Sequence, residues 1–289
     1  MTRGRRPGMS GRPMADRALN VWGLLVIAFL FTPIAVIVVY SFNSGRLLAS
    51  WEGFGFDAYA AALSNADIVS AVSVSVRAAA GAALIAVVLG TLCGYALARH
   101  PGGRIGRLVT ALLALVLVTP EIVSGVALLP WFVSLGVDQE LSLFNSGWVR
   151  LVVAHSLFAT AVVTFLVRAR MQGMDSSLEE AAADLYTPPL RRFRLITLPI
   201  LMPSVLAGAL MAFTLSLDNT IISAFVQVSG STPWPVYVFS AVRAGLRPEL
   251  AAMSAVMLLL TLAALAVVAL VLRRAGGSKD AVNALSGVR

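Results

Sequence analysis

The chain has 289 residues, of which 58% are hydrophobic and 12% are charged. This composition excludes an ordinary water-soluble globule, because soluble domains carry about 25% charged residues. The 22 basic and 14 acidic residues give a formal net charge of +8, but no basic patch with interleaved aromatic residues indicates a nucleic-acid partner. The single cysteine, Cys93, excludes an internal disulfide and a multi-cysteine metal site.

Long apolar segments predict an all-α membrane protein with six transmembrane helices, since about 20 apolar residues span the hydrocarbon core. We expect an Arg-rich tail at 1–20, a first helix at 21–42, an outward loop at 43–70, a transmembrane core at 71–272 and a second tail at 273–289. Within the core, spans are expected at about 78–98, 108–132, 149–167, 200–226 and 250–272. The first helix is too long for a signal-peptide core and lacks a small-x-small cleavage site, so we interpret it as a retained anchor.

The distribution of basic residues predicts the orientation of the chain. Most of them lie in the two tails, between the second and third spans, and between the fourth and fifth spans. The smaller set falls on the opposite side: Arg46, Arg77, Arg150, Arg243 and Arg247. Since cytoplasmic loops carry the excess of arginine and lysine, we expect both termini and the loop at 171–198 to be cytoplasmic. On the opposite side, residues 236–243 are expected to form a short helix after a proline-rich turn.

The loop at 171–198 predicts a short amphipathic helix. Overlapping Ser-x-x-Glu patterns that begin at Ser176 and Ser177 are typical of a helix start. The apolar face is expected at helical spacing, on Leu178, Ala181, Ala182 and Leu185. Pro188-Pro189 is expected to end the helix, because a proline disfavours helical geometry in the residue before it. An amphipathic helix between two membrane spans indicates a docking surface.

No catalytic residues are predicted. His100 and His155 have no carboxylate or cysteine at ligand or triad spacing, and we expect His155 to be a polar contact between helices. The only lysine, Lys279, does not belong to a phosphate-binding loop. The chain is therefore not expected to be an enzyme or to bind a cofactor or metal, and any ATP must be bound by a partner.

Two carboxylates fall within predicted spans, where an ionised group is costly and is usually functional. Glu121 follows Pro120 in the third span, where the proline is expected to bend the helix. Asp218, followed by Asn219, lies in or near the outer end of the fifth span. Two acids facing one pathway favour a cationic substrate. The alternatives are a structural ion pair, for which Arg77 could reach one of the acids, or an interfacial cap.

The loop sequence resembles the EAA coupling loop of bacterial ABC importer permeases. The resemblance lies in Glu180-Ala181-Ala182 and Ile196-Thr197-Leu198-Pro199 and continues through Pro203 and Gly208. Tyr186 departs from the pattern, which usually has glycine there, so that Pro188-Pro189 is a possible substitute for the glycine turn. Residues 120–123, 213–219 and 235–249 resemble the second permease of spermidine/putrescine importers, and the similarity covers about residues 20–272.

The resemblance implies a type I ABC importer permease in a bacterial inner membrane. It implies a second permease that shares the pathway, a cytoplasmic ATPase dimer that binds ATP and Mg²⁺, and an extracytoplasmic substrate-binding protein. The residues expected to contact the ATPase are Glu179, Glu180, Ala181, Ala182, Asp184, Leu185 and Tyr186. Those expected to line the pathway of a polyamine are Glu121, Asp218 and Asn219, although an acid is usual where Asn219 stands.

The sequence is also compatible with other classes of membrane protein. Permeases for ferric iron or for an oxyanion such as sulfate, molybdate or phosphate would be favoured if Arg77, and not the two acids, faced the cavity. A secondary transporter would more often show two similar halves and would need no ATPase. A membrane anchor or sensor would not need acids in two separate spans.

Overall fold

The computed structural model describes residues 13–45, 47, 48 and 50–275. The predicted tails at 1–20 and 273–289, and Lys279 with them, lie mostly outside the described residues. The helices of the first half are α1 (Pro13–Tyr40), α2 (Asp57–Ser64), α3 (Ala66–Arg99), α4 (Arg104–Val118), α5 (Glu121–Val133) and α6 (Gly147–Gln172). Those of the second half are α7 (Ser177–Asp184), α8 (Pro189–Arg192), α9 (Leu198–Leu217), α10 (Ile221–Val226), α11 (Trp234–Ala244) and α12 (Pro248–Ala275). The predicted outward loop at 43–70 thus contains α2 and the first turn of α3, and the short helix expected at 236–243 is α11.

Six helical segments of the described residues are long and apolar enough to cross a membrane, as the sequence predicts. They are Ala18–Tyr40, Ala66–Arg99, Glu121–Asp138, Gly147–Gln172, Pro189–Leu217 and Pro248–Val271. The segment Glu121–Asp138 includes a π-helical turn after α5, and Pro189–Leu217 includes one between α8 and α9.

The third predicted span, at 108–132, is wrong as a single helix, because the chain breaks between α4 and α5. Thr119 and Pro120 take extended ψ angles of 126° and 136°. Proline has no N–H to donate and disfavours the helical conformation in the residue before it. Pro120 therefore breaks the helix completely, where the sequence predicted only a bend.

The fifth predicted span, at 200–226, is interrupted as well. Helix α9 ends at Leu217, and α10 begins at Ile221. The Oδ1 atom of Asn219 accepts the backbone N–H groups of Ile222 at 3.1 Å and Ser223 at 3.3 Å. A side-chain acceptor of this kind satisfies the free N–H groups of a new helix, so Asn219 stabilises the restart.

The described chain forms two compact units. One contains residues up to Ala62 together with Leu246–Val256, and the other contains Leu63–Gly245 and the residues from Met257 onward. In the first unit the buried side chain of Asn43 stabilises the loop that follows α1. Its Nδ2 donates to Ser50 O at 2.8 Å, and its Oδ1 accepts from Glu52 N at 3.0 Å. All residues of the candidate site belong to the second unit.

The core of the second unit is the packing of α3, α6 and α9. Gly90 and Gly94 lie one turn apart on α3 and face α6, where a Cβ on Gly94 would lie 2.7 Å from Thr164 O. Small residues four positions apart let two membrane helices approach closely, and association in lipid depends on such packing. Helices α5 and α10 approach in the same way, since a Cβ on Gly125 would lie 2.6 Å from Phe225 Cδ2.

Candidate functional site

The two broken helices place their carboxylates on one cavity. The cavity has a volume of about 320 Å³ and is lined by Glu121, His155, Phe158, Leu215, Asp218, Asn219, Thr220, Ile221 and Ile222. Glu121 is the first residue after the break between α4 and α5, and Asp218 is the first residue after α9. Non-helical backbone at membrane depth is tolerated where it lines a cavity, so both breaks are explained by their position. The structure thus brings together the three residues predicted to line a pathway.

Glu121 and Asp218 occupy opposite ends of their helices. Glu121 lies at the N-terminus of α5, where the helix dipole favours a negative charge. Asp218 caps the C-terminus of α9, where the dipole disfavours one. An interfacial cap is therefore an adequate structural reason for Glu121 but not for Asp218.

Neither acid has a cationic partner among the described residues, whose one ion pair joins Arg99 to Glu179. The expectation that Arg77 could reach an acid is wrong. Its Nε donates to Ser73 O at 3.1 Å and its Nη2 to Ser73 Oγ at 2.8 Å, on its own exposed helix face. The cavity wall thus has two carboxylates and no arginine or lysine.

His155 is a contact between helices, as expected from the sequence. Its Nδ1 lies 2.7 Å from Ser216 Oγ on α9, and its Nε2 lies 2.9 Å from Ser223 Oγ on α10. A neutral imidazole has one donor and one acceptor nitrogen, and a serine hydroxyl can serve either. The ring therefore holds α6 to both sides of the α9–α10 break. Sequence reasoning missed Ser216 and Ser223, because serines are common in apolar helices and only their spatial placement distinguishes these two.

Among the residues that the structure describes, no group of three or more His, Cys, Asp and Glu side chains could hold a metal ion.

The predicted loop helix is α7, and its start differs from the prediction. Ser176 makes no capping hydrogen bond with its side chain. Instead, Asp175 Oδ1 accepts the backbone N–H of Ser177 at 2.9 Å. This hydrogen bond, together with one from the Ser177 side chain, holds the pKa of the exposed Asp175 carboxyl below its usual value.

The end of α7 also differs from the prediction. Tyr186 N–H donates to Ala183 O at 2.9 Å, and Thr187 N–H donates to Ala182 O at 3.1 Å. These two bonds form a Schellman motif, in which the residue after the cap adopts the left-handed conformation. Tyr186 has φ 55°, so it takes the glycine-type geometry itself. Pro188-Pro189 does not end α7: Pro189 is the first residue of α8, a position that suits proline.

The seven residues predicted to contact an ATPase do not share one face. Glu179 and Ala182 are buried at 7% and 8% exposure. The other five are exposed at the protein surface: Glu180, Ala181, Asp184, Leu185 and Tyr186. Leu185 is 80% exposed and Tyr186 is 94% exposed. The apolar side chains of Leu178 and Leu190 extend this exposed surface. The predicted apolar face of α7 is therefore divided, with only Ala182 of that set turned inward.

Glu179 is the internal contact of α7. Its carboxylate forms an ion pair with Arg99, the last residue of α3, and accepts a hydrogen bond from the Thr197 hydroxyl. Arg192 Nη1 donates to the Glu179 carbonyl oxygen at 3.4 Å. The side chain thus ties α7 to the ends of two membrane helices and does not lie on the exposed surface.

Comparison with known proteins gives a family and a fold. The profile of the family described as "Binding-protein-dependent transport system inner membrane component" matches residues 86–276. The putrescine transport system permease protein PotI of Escherichia coli K12 is 38% identical over 235 residues, which cover 81% of this chain and 83% of that protein. The spermidine/putrescine transport system permease protein PotC of Haemophilus influenzae is 34% identical over 255 residues, covering 88% of this chain and 96% of that protein.

A solved structure shares the fold. It is described as a bacterial ABC transporter involved in the import of the acidic polysaccharide alginate. The chains superpose with a TM-score of 0.61 over 91% of this chain and 98% of the other, at 13% sequence identity. The ABC permease fold that the sequence predicts is thereby confirmed, whereas the cytoplasmic placement of the termini stays a prediction.

Proposed function

Because the chain belongs to the family of binding-protein-dependent transport system inner membrane components, we propose that it is the permease subunit of an ATP-driven polyamine importer. As a multi-pass membrane subunit, it forms the substrate pathway together with a second permease. The substrate is a polyamine such as putrescine or spermidine, delivered by an extracytoplasmic binding protein. A cytoplasmic ATPase dimer, which holds the ATP and Mg²⁺, docks on the surface around α7.

The observation that carries the substrate class is the cavity with two carboxylates and no cationic side chain on its wall. Polyamines carry ammonium groups separated by short methylene chains. Glu121 and Asp218 can each accept hydrogen bonds from an ammonium group, and the Phe158 ring offers an apolar face with affinity for cations and methylenes. The names of the relatives PotI and PotC support the same class.

The wall of the cavity argues against an oxyanion. Sulfate, molybdate and phosphate permeases need donors or cations at the ligand, whereas Arg77 is bonded to its own helix away from the cavity. The Oδ1 atom of Asn219 accepts a backbone N–H group at the start of α10, and an aspartate could make the same capping hydrogen bond.

Docking of partners is supported by the exposed apolar surfaces. No residue of α4 is buried, and Leu108, Leu112, Leu115 and Val118 are all exposed on it. A second permease and membrane lipid would cover this helix. Around α7, the exposed Leu185 and Tyr186 beside Glu180 offer an apolar patch with an acidic neighbour, which suits a groove with a basic rim on the ATPase.

The substrate is tested by uptake into proteoliposomes that contain the complete importer and its binding protein. We expect uptake of labelled putrescine or spermidine, but not of sulfate or ferric iron. Glu121→Gln and Asp218→Asn should each lower kcat/KM for uptake by roughly tenfold to a hundredfold, the loss expected for one charged hydrogen bond. Arg77→Gln is the matched control and should transport as the wild type does. Polyamine uptake at the wild-type rate by both acid variants would refute the assignment of the cavity.

Docking of the ATPase is tested by Glu180→Lys in the same complex. Reversing an exposed charge on the docking surface should lower the amount of ATPase that co-purifies with the permease, and uptake with it. Glu140→Lys, the same change at an exposed site between α5 and α6, should affect neither. Wild-type assembly and uptake with Glu180→Lys would remove the proposed role of this residue.

A further inference from the structure

We propose that Glu179 is a positioning residue that transmits movement of α7 to the membrane helices α3 and α9. This inference rests on the proposed docking of an ATPase on α7. It assigns different tasks to two neighbouring acids: Glu180 faces the partner, while Glu179 faces the interior and connects the docking helix to the transport pathway.

The burial of Glu179 is unusual for its position in a short polar loop helix. Its exposure is 7%, and ionised carboxylates are rarely buried unless they are paired. Its two side-chain partners come from different spans, since Arg99 is the last residue of α3 and Thr197 immediately precedes α9. Thr197 is itself fully buried. A shift of α7 that keeps these bonds must therefore carry the ends of α3 and α9 with it.

The surrounding contacts hold the partners of Glu179 in place. The Arg99 guanidinium lies 5.8 Å from the centre of the Tyr95 ring, and this ring packs edge-on against Phe193 at 5.0 Å. Phe193 and Arg192 belong to the segment between α7 and α9, and Arg192 reaches the backbone of Glu179. The cluster thus joins α3, α7 and the start of the fifth span through side chains of several types.

One donor of the Arg99 guanidinium is left over by the contacts with Glu179. The Nε atom of Arg99 is buried and has no hydrogen-bond acceptor among the described residues. Buried donors are normally paired, so the free N–H marks a hydrogen bond that a shifted α7 could complete. A charged pair with a spare donor can change geometry without leaving a buried charge unpaired, which is what a connecting element needs in a two-state transporter.

The far end of the connected helices lies at the proposed substrate cavity. Helix α9 begins directly after Thr197, which contacts Glu179, and ends directly before Asp218, which presents a carboxylate to the cavity. Helices are stiff along their axes, and a displacement at the α7 end of α9 therefore reaches the break beside Asp218. Glu180 has no such route, because its side chain is exposed.

The test uses the complete importer in proteoliposomes and measures ATPase co-purification and substrate transported per ATP hydrolysed. With Glu179→Gln we expect the ATPase to co-purify in the wild-type ratio, but uptake per ATP to fall at least about fivefold, the lower end of typical coupling between sites. Arg99→Gln should produce the same fall, and the double variant should be no worse than either single variant, because both break one connection. Arg99→Lys, which keeps the charge, should retain most of the coupling.

Wild-type uptake per ATP in both Glu179→Gln and Arg99→Gln would overturn the proposal, as would additive losses in the double variant. If Glu179→Gln lost the ATPase from the complex, Glu179 would be a docking residue and the inference would be wrong. Glu180→Lys tests the docking of the ATPase separately from the connection through Glu179. Wild-type co-purification of the ATPase with this variant would count against docking on α7. If Glu179→Gln did not fold, Thr197→Val would test the link to α9 by the same ratio.

Discussion

Replacing Tyr186 by glycine should stabilise the end of α7, because this residue holds a left-handed backbone conformation with φ 55°. That conformation costs an L-residue about 1–2 kcal/mol, and glycine adopts it without the penalty. The greater freedom of glycine in the open chain offsets about 0.5–1 kcal/mol of this gain. The Tyr186 side chain is 94% exposed, so its loss removes little packing within the chain. The net stabilisation should be about 0.5–1 kcal/mol.

Amide hydrogen exchange in the purified permease measures this local stability. The N–H groups of Tyr186 and Thr187, which close the Schellman motif, and the last amides of α7 should exchange roughly two to five times more slowly in Tyr186→Gly. Tyr186→Ala is the control, because alanine removes the ring but keeps the left-handed penalty, and its exchange should not slow. Equal exchange in Tyr186→Gly and wild type would refute the strain argument. Slowing in Tyr186→Ala would assign the effect to the side chain instead of the backbone.

Two further predictions concern the helix packing. His155→Ala leaves two buried serine hydroxyls without their partner, at about 1–3 kcal/mol each, and should lower the Tm of the detergent-solubilised protein, whereas His100→Ala at an exposed position should not. Gly94→Ala forces a Cβ against Thr164 O on α6 and should destabilise by about 1–3 kcal/mol, whereas Gly102→Ala meets open space. Equal Tm values within either pair would contradict the corresponding contact.

The family and the number of spans could be predicted from the sequence because they depend on local properties. Runs of apolar residues define membrane spans whatever their neighbours are. The spacing from Glu180 to Pro199 is likewise independent of packing. The breaks within the third and fifth predicted spans could not be predicted in the same way. A proline before Glu121 indicated a bend, but whether a helix bends or separates depends on whether surrounding groups and the cavity accept the free backbone.

The membrane class, the six apolar spans, the position of the loop helix α7 and the acids at Glu121 and Asp218 could all be inferred from the sequence alone, because each depends on local composition or spacing. That these acids share one cavity follows from the packing of α5, α6, α9 and α10, because the two residues lie on segments far apart in the chain. Tertiary packing also decided which of the adjacent acids Glu179 and Glu180 faces inward. Both residues have the same side chain and the same local propensity. Their difference arises from Arg99 and Thr197, which the packing of α3 and α9 brings to one side of α7.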